Sequence, residues 1–78
     1  MITVRYFGGA AEAAGAETEQ CPQVPRLDEL TGALAEAHPA LGAVLAVCSF
    51  MVNEQSATSD APLPEDALVD VLPPFAGG

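Results

Sequence analysis

The chain contains no lysine, and Arg5 and Arg26 are its only basic residues beside a single histidine. Eleven acidic residues leave a net charge of −9. Nucleic acid is therefore a poor candidate ligand, because phosphate backbones are held by Lys and Arg. The same imbalance suits basic protein partners and salt-sensitive association, and it equally suits simple solubility. Cysteine is scarce too. Cys21 and Cys48 stand far apart, with no Cys-x-x-Cys pair and no histidine cluster. That excludes an iron–sulfur cluster and a structural zinc, and leaves two buried, reduced thiols as the expectation. No apolar run approaches the roughly 18 residues of a membrane span. The opening Met-Ile-Thr-Val-Arg-Tyr-Phe reads as a strand, not a secretory signal. A cytoplasmic location, with no membrane association, is expected.

Enzymatic machinery is missing as well. The sequence holds no nucleophile–base pair, no phosphate loop and no metal-ligand cluster. His38 has no Cys or Ser at a useful spacing; beside Pro39, at the end of a helical pattern, it reads as a cap.

What is present is enough for one small domain. At 78 residues, half of them hydrophobic, a compact core is feasible and disorder is not expected. Net stability at this size is on the order of 4–12 kcal/mol.

Residues 2–7 alternate, with Ile2, Val4 and Tyr6 on one face and Thr3, Arg5 and Phe7 on the other. Gly8-Gly9 breaks this strand, and residues 10–15 are small enough to be a loop or a helical turn. Residues 17–21 read as a returning strand. Leu27–His38 is the main helix, with Leu27, Leu30, Leu34 and Ala37 on one face and Ala33 beside them. Asp28 and Glu29 complement its dipole, and Pro39 stops it. Residues 41–47 suit one helical turn beneath the sheet, and Ser49–Asn53 a buried strand. Residues 54–60 form a polar turn or short hairpin, and residues 61–66 a loop. Ala67–Leu72 is the last strand, with Val69 and Val71 on one face and Leu68 and Asp70 on the other. The hydrophobic first and last strands suit the centre of a mixed sheet, paired in parallel under the helix. This is an α+β class, the β-grasp arrangement. It divides the chain into a domain over 1–72 and an extended tail over 73–78.

The tail, Pro73-Pro74-Phe75-Ala76-Gly77-Gly78, is the most specific feature. Two terminal glycines pack against nothing and carry high backbone entropy. They offer instead a thin, flexible thread with a carboxylate at its tip, able to enter a channel that any Cβ would block. Six extended residues reach about 20 Å, and the two prolines limit the entropy lost on threading. The chemistry is thus expected at Gly78. A chain with no lysine suits an activated acyl terminus, although genomic base composition also produces such scarcity.

Taken together, these segments resemble the small sulfur-carrier subunit of molybdopterin synthase, the MoaD family of ubiquitin-like proteins, essentially end to end. The likeness rests on Ile2–Phe7 followed by small residues and Gly15, on the Leu-Asp-Glu-Leu…Ala-His-Pro helix of Leu27–Pro39, and on Met51-Val52-Asn53. It continues through Asp60-Ala61-Pro62-Leu63 with Glu65-Asp66, and above all in Val71–Gly78. A lone Gly-Gly is weak; Leu-Pro-Pro-x-x-Gly-Gly on a chain of this length is strong. Three departures stand out. Ala11 replaces the Arg that usually precedes the Glu matching Glu12, Pro64-Glu65-Asp66-Ala67 replaces an Asp-Gly-Asp-Glu turn, and Arg26 replaces a Ser or Thr cap.

The resemblance implies a non-catalytic, sulfur-donating subunit with no bound cofactor and no metal. A MoeB-like adenylating enzyme would use ATP to convert the Gly78 carboxylate into an acyl-adenylate. A sulfur donor protein would then leave a thiocarboxylate there. The carrier would dock on a large, MoaE-like subunit in a heterotetramer, thread Gly77 and Gly78 into its active site, and give sulfur to cyclic pyranopterin monophosphate. Phe7, Leu72, Pro73, Pro74, Phe75 and Ala76 are the implied partner-binding residues; Phe7 and Leu72 also suit an ordinary core. Other readings are a ThiS-like carrier for thiazole formation, a carrier for cysteine biosynthesis, a ubiquitin-like modifier forming isopeptide bonds through Gly78, and a β-grasp binding module with no tail chemistry. ThiS relatives are usually shorter and lack the paired prolines.

Overall fold

The computed structural model describes residues 1–74. Strand β1 (Ile2–Tyr6) leads into helix α1 (Gly9–Ala14) and the returning strand β2 (Thr18–Cys21). Helices α2 (Leu27–Ala37) and α3 (Leu41–Leu45) follow. Strands β3 (Ser49–Val52), β4 (Gln55–Ala57) and β5 (Leu68–Leu72) complete the chain. The five strands form one sheet in the order β2-β1-β5-β3-β4. β1 and β5 run parallel, with Val4 opposite Val69 and Tyr6 opposite Val71; the other pairings are antiparallel. The expected β-grasp architecture, with a parallel central pair, is the one observed.

Strand alternation decides which face is dry. Ile2, Val4, Tyr6, Cys21, Val69 and Val71 point inward and join Leu27, Leu30 and Leu34 of α2 in one buried cluster. Ala10 of α1 and Leu41 and Leu45 of α3 close its ends. Ala33 and Ala37 lie outside it, contrary to the helical pattern in the sequence: both are exposed. The buried stripe drifts instead toward the half-buried Thr31, Ala35 and His38. Such a drift follows from 3.6 residues per turn over a short helix. Phe50 and Val52 pack against the cluster but are only half-buried, so β3 is less enclosed than the sequence suggests. Cys48 is likewise half-buried, whereas Cys21 is buried; both are free thiols.

The small-residue stretch after β1 resolves as a helix because glycines frame it. Gly8 (φ 53°) turns the chain in. Gly15 (φ 73°) turns it out in the left-handed conformation, its N–H donating to the Ala11 carbonyl at 2.9 Å. Strand β3 stops one residue earlier than expected. Asn53 (φ 49°) and Glu54 (φ 68°) form a two-residue turn, and β4 pairs back on β3. The hairpin half of the turn-or-hairpin reading is therefore the one realised. Asn53 also ties this turn to β5: its N–H donates to the Leu68 carbonyl at 2.8 Å, and its Oδ1 accepts the Leu68 N–H at 2.9 Å.

Arg26 makes no side-chain cap, as its identity implies. Carbonyls of the loop before β5 do that work. Leu27 N–H donates to Ala61 at 2.9 Å and Asp28 N–H to Ser59 at 2.8 Å. They satisfy amides that every helix start leaves without an internal partner. Arg26 instead pairs with Asp28 at 2.7 Å.

At the other end of α2, His38 is the capping residue, its N–H bonded to the Leu34 carbonyl at 2.9 Å. Its Nε2 lies 2.8 Å from Glu19 Oε1, which also accepts the Tyr6 hydroxyl at 2.7 Å. One carboxylate thus joins β1, β2 and α2. Burial, followed by this hydrogen bond, pushes the Tyr6 phenol well above its ordinary 10.0. Burial also raises the Cys21 and Cys48 thiols from 9.0. A raised folded-state pKa contributes stability that is complete below the unfolded value and is lost as pH rises past it. Since no lysine titrates in this range, the effect should be unusually clean. Urea unfolding between about pH 8 and pH 11 is expected to show stability falling with pH. Tyr6→Phe should flatten the part of the decline that begins near 10, leaving the part due to the thiols.

Candidate functional site

The helices cover one face of the sheet, and the opposite face has no layer over it among the described residues. Thr3 and Arg5 of β1, Leu68, Asp70 and Leu72 of β5, Ser49 and Met51 of β3, and Thr18 and Gln20 of β2 point that way by alternation. The register places two rows side by side. Thr18, Arg5, Asp70, Met51 and Ser56 run straight across the sheet, and Leu72 sits beside Ser49 in the next row. Phe7 extends that second row, its N–H donating to the Val71 carbonyl at 3.2 Å.

Phe7 is 38% exposed and Leu72 half-buried, and neither belongs to the buried cluster. The two residues that the sequence assigned equally to core or interface therefore stand on the open face. Leu72 ends β5. Pro73 is half-buried, and its Cγ would lie 3.8 Å from a Cβ at Gly8; Pro74 is exposed. The tail thus leaves from the central strand, at the edge of the Phe7–Leu72 patch. Phe75, Ala76, Gly77 and Gly78 lie outside the described residues.

The centre of the open face is an ion pair that the sequence reading missed. Asp70 Oδ1 accepts Arg5 Nε at 2.7 Å, and Oδ2 accepts Nη2 at 2.9 Å. This is the bidentate geometry in which a guanidinium binds a carboxylate most strongly. The Asp70 side chain is 8% exposed and that of Arg5 40%. The hydrogen bond to Asp70 outweighs the cost of partial burial and raises the Arg5 pKa. Arg5 also spreads over Phe7, its Cζ 5.9 Å from the ring centroid. A signal existed: Arg5 and Asp70 are the only charges within Ile2–Tyr6 and Leu68–Leu72, the two strands expected to pair in parallel.

Elsewhere the surface offers little chemistry. An open groove of about 720 Å³ runs between α2, α3 and the β3–β4 hairpin, past Thr31, Ala35, Leu45, Cys48 and Phe50. It lies on the helix side, away from the tail, and no set of catalytic groups converges there. Among the described residues no cluster of His, Cys, Asp or Glu could hold a metal ion, and no helix is long and apolar enough to cross a membrane.

Known proteins resemble the whole chain. A sequence profile of the ThiS family matches residues 4–78. The molybdopterin synthase sulfur carrier subunit of Chlamydomonas reinhardtii is 31% identical over 85 residues, an alignment covering 100% of this chain and 99% of that one. Among solved structures, SAMP1 from Haloferax volcanii superimposes with a TM-score of 0.86 at 23% identity, covering 99% and 98% of the two chains. A complex of subunits 1 and 2 of the molybdopterin-converting factor from Helicobacter pylori 26695 contains a chain matching at TM-score 0.71 and 27% identity, with 99% and 97% covered.

Because Phe7 lies outside the core, its truncation should leave the fold nearly intact. Phe7→Ser is expected to cost under about 1 kcal/mol, the range of surface changes. The comparison is Leu30→Ala, in the centre of α2, at about 2–5 kcal/mol. Thermal or urea unfolding checks both. A Phe7 variant as damaged as the Leu30 variant would return Phe7 to the core.

Proposed function

The chain belongs to the ThiS family, with the ubiquitin-like MoaD proteins among its relatives, and from that premise we propose that it is the sulfur-carrier subunit of a molybdopterin synthase. The observation that carries this reading is the end-to-end identity of 31% with a protein of that name. The tail Leu72-Pro73-Pro74-Phe75-Ala76-Gly77-Gly78 supports it, as does the open, partly apolar sheet face from which that tail departs.

The cycle follows from the chemistry of a carboxylate. Alone it is a poor electrophile. A MoeB-like enzyme joins the Gly78 carboxylate to the α-phosphorus of ATP, and pyrophosphate leaves. The acyl-adenylate then loses AMP to a sulfur nucleophile supplied by a donor protein, and Gly78 carries a thiocarboxylate. That sulfur is nucleophilic at neutral pH. In the large subunit it bonds to cyclic pyranopterin monophosphate, water cleaves the acyl–sulfur bond so that the sulfur stays on the pterin, and the carrier returns with its carboxylate. Gly77 and Gly78 pass a channel too narrow for a side chain. The protein is a reagent in this scheme, recharged by other active sites, and needs no catalytic group or cofactor of its own.

Phe7, Leu72, Pro73, Pro74, Phe75 and Ala76 form the docking surface in this reading, and the Helicobacter pylori complex of subunits 1 and 2 supplies the precedent for a larger partner. Both arginines are committed to internal carboxylates, so the long-range field of the chain is that of its remaining acids. Association with a basic partner should weaken with salt. Having no ε-amine, one activated copy finds no lysine to acylate on another.

The test is a pull-down from the native organism, with mass spectrometry of the captured proteins and of the C-terminal peptide. A large molybdopterin synthase subunit, with one oxygen of Gly78 exchanged for sulfur, is the expected result. Capture of thiazole synthase or of a cysteine-forming enzyme would keep the chemistry and change the pathway. Gly78 joined to target lysines would make the chain a protein modifier. In reconstituted synthesis, deletion of Gly78 should abolish sulfur transfer while leaving the fold intact, and Gly77→Ala should slow it roughly tenfold to hundredfold. Full activity without Gly78 would falsify the proposal.

A further inference from the structure

We propose that the Arg5–Asp70 pair is a specificity determinant of the docking face. It admits a large subunit that places an uncharged oxygen acceptor, a backbone or side-chain carbonyl, against Arg5 within an otherwise apolar contact. The inference rests on the preceding reading for the identity of the partner, and on the geometry of the pair for the rest.

An ion pair at the centre of an open sheet face needs a reason. As an internal tie it adds little, since β1 and β5 are already joined by backbone pairing from Thr3 to Tyr6. Its position is the informative part. Asp70 lies directly between Arg5 and Met51 across the sheet, and Leu72 and Phe7 stand one row toward the tail. Any partner that grips the apolar patch while the tail is engaged must also cover the guanidinium. Asp70 takes Nε and Nη2. The remaining N–H groups of Arg5 have no acceptor among the described residues, and a half-exposed side chain leaves them to water.

Docking removes that water. A guanidinium buried with donors unmet costs affinity, whereas one whose donors are met does not. The face therefore discriminates by rejection: a wholly apolar partner surface leaves Arg5 unsatisfied, and a complementary one does not. The acceptor need not be charged. Asp70 already balances Arg5, and the nearby Glu54 adds to the attraction it feels. A partner carboxylate would also meet a chain of net charge −9. Asp70 has a separate duty: its two-oxygen grip fixes the guanidinium, with Cζ 5.9 Å from the Phe7 ring centroid. It is a positioning residue.

Isothermal titration of the carrier with the large molybdopterin synthase subunit of the same organism tests the inference. The double variant Arg5→Leu/Asp70→Ala replaces the pair by apolar side chains and should keep the unfolding midpoint, because exchanging a whole pair is far milder than breaking one. Its Kd is expected to rise about tenfold or more, the loss of one charge-assisted contact. A second variant, Arg5→Lys, keeps the charge but not the fork, and should lose about as much. Should the double variant prove unstable, this one decides. Binding within about twofold of the unmodified carrier by a folded variant overturns the inference and leaves the pair an internal tie. Failure of the unmodified carrier to bind the large subunit overturns the reading beneath it, and the inference with it.

Discussion

The parallel pairing of β1 with β5 is the constraint on which the rest of this structure depends. It joins the first strand of the chain to the last, so no part of the sheet is complete until the whole sequence is in place. Its register puts Val4 beside Val69 and Tyr6 beside Val71 on the dry face. On the wet face the same register puts Arg5 beside Asp70. A slip of β5 by one residue would turn that strand over, exposing Val69 and Val71 and burying Asp70 away from Arg5. The branched apolar neighbours on the dry face thus select one register. The same pairing makes β5 the central strand, so the chain leaves the sheet at Leu72 from a strand held on both sides.

The surrounding parts serve that centre. α2 lays Leu27, Leu30 and Leu34 across it. The start of α2 is held by carbonyls of Ser59 and Ala61 in the loop that leads to β5, so helix and last strand are positioned by one segment. Its end is held by Glu19, which gathers Tyr6 and His38. The edge strands are short: four residues in β2 and three in β4. Brief edges of this kind offer little template for adding a foreign strand.

Much of this was legible in the sequence wherever a pattern repeated often enough. Ile2–Tyr6 alternates cleanly, Leu27–Leu34 keeps helical spacing, and the hydrophobic last strand announces a central position. The failures have physical causes. A six-residue run of Gly, Ala and Glu has no periodicity to read, and its helix follows from positive-φ glycines at both ends. β4 is too short to alternate and exists through pairing with β3 across a two-residue turn. Ala37 fits the helical pattern at its first turns, but the stripe has drifted past it by the last. The Arg5–Asp70 contact spans 65 residues of sequence, beyond any local pattern; only the expected parallel pairing, followed residue by residue, leads to it. The residues beyond Pro74 were read from sequence, and their assignment stands on motif and likeness.

The carrier role proposed above would set two demands that pull against each other. On that reading a docking face would need apolar surface to bind, and a small chain shared between partners would need to stay dispersed while that surface is bare. The charge distribution reconciles them. Phe7 and Leu72 stand side by side, and the Arg5–Asp70 pair occupies the next row beside Met51, so the apolar patch is interrupted by charge and stays small. The acids elsewhere repel other copies of the chain, and a terminus activated as proposed would meet no lysine on them. The scarcity of basic residues and the placement of one of them at the middle of the open face are then parts of one arrangement. Arg5 stands next to the carboxylate that neutralises it, with donors left over for the acceptor proposed above.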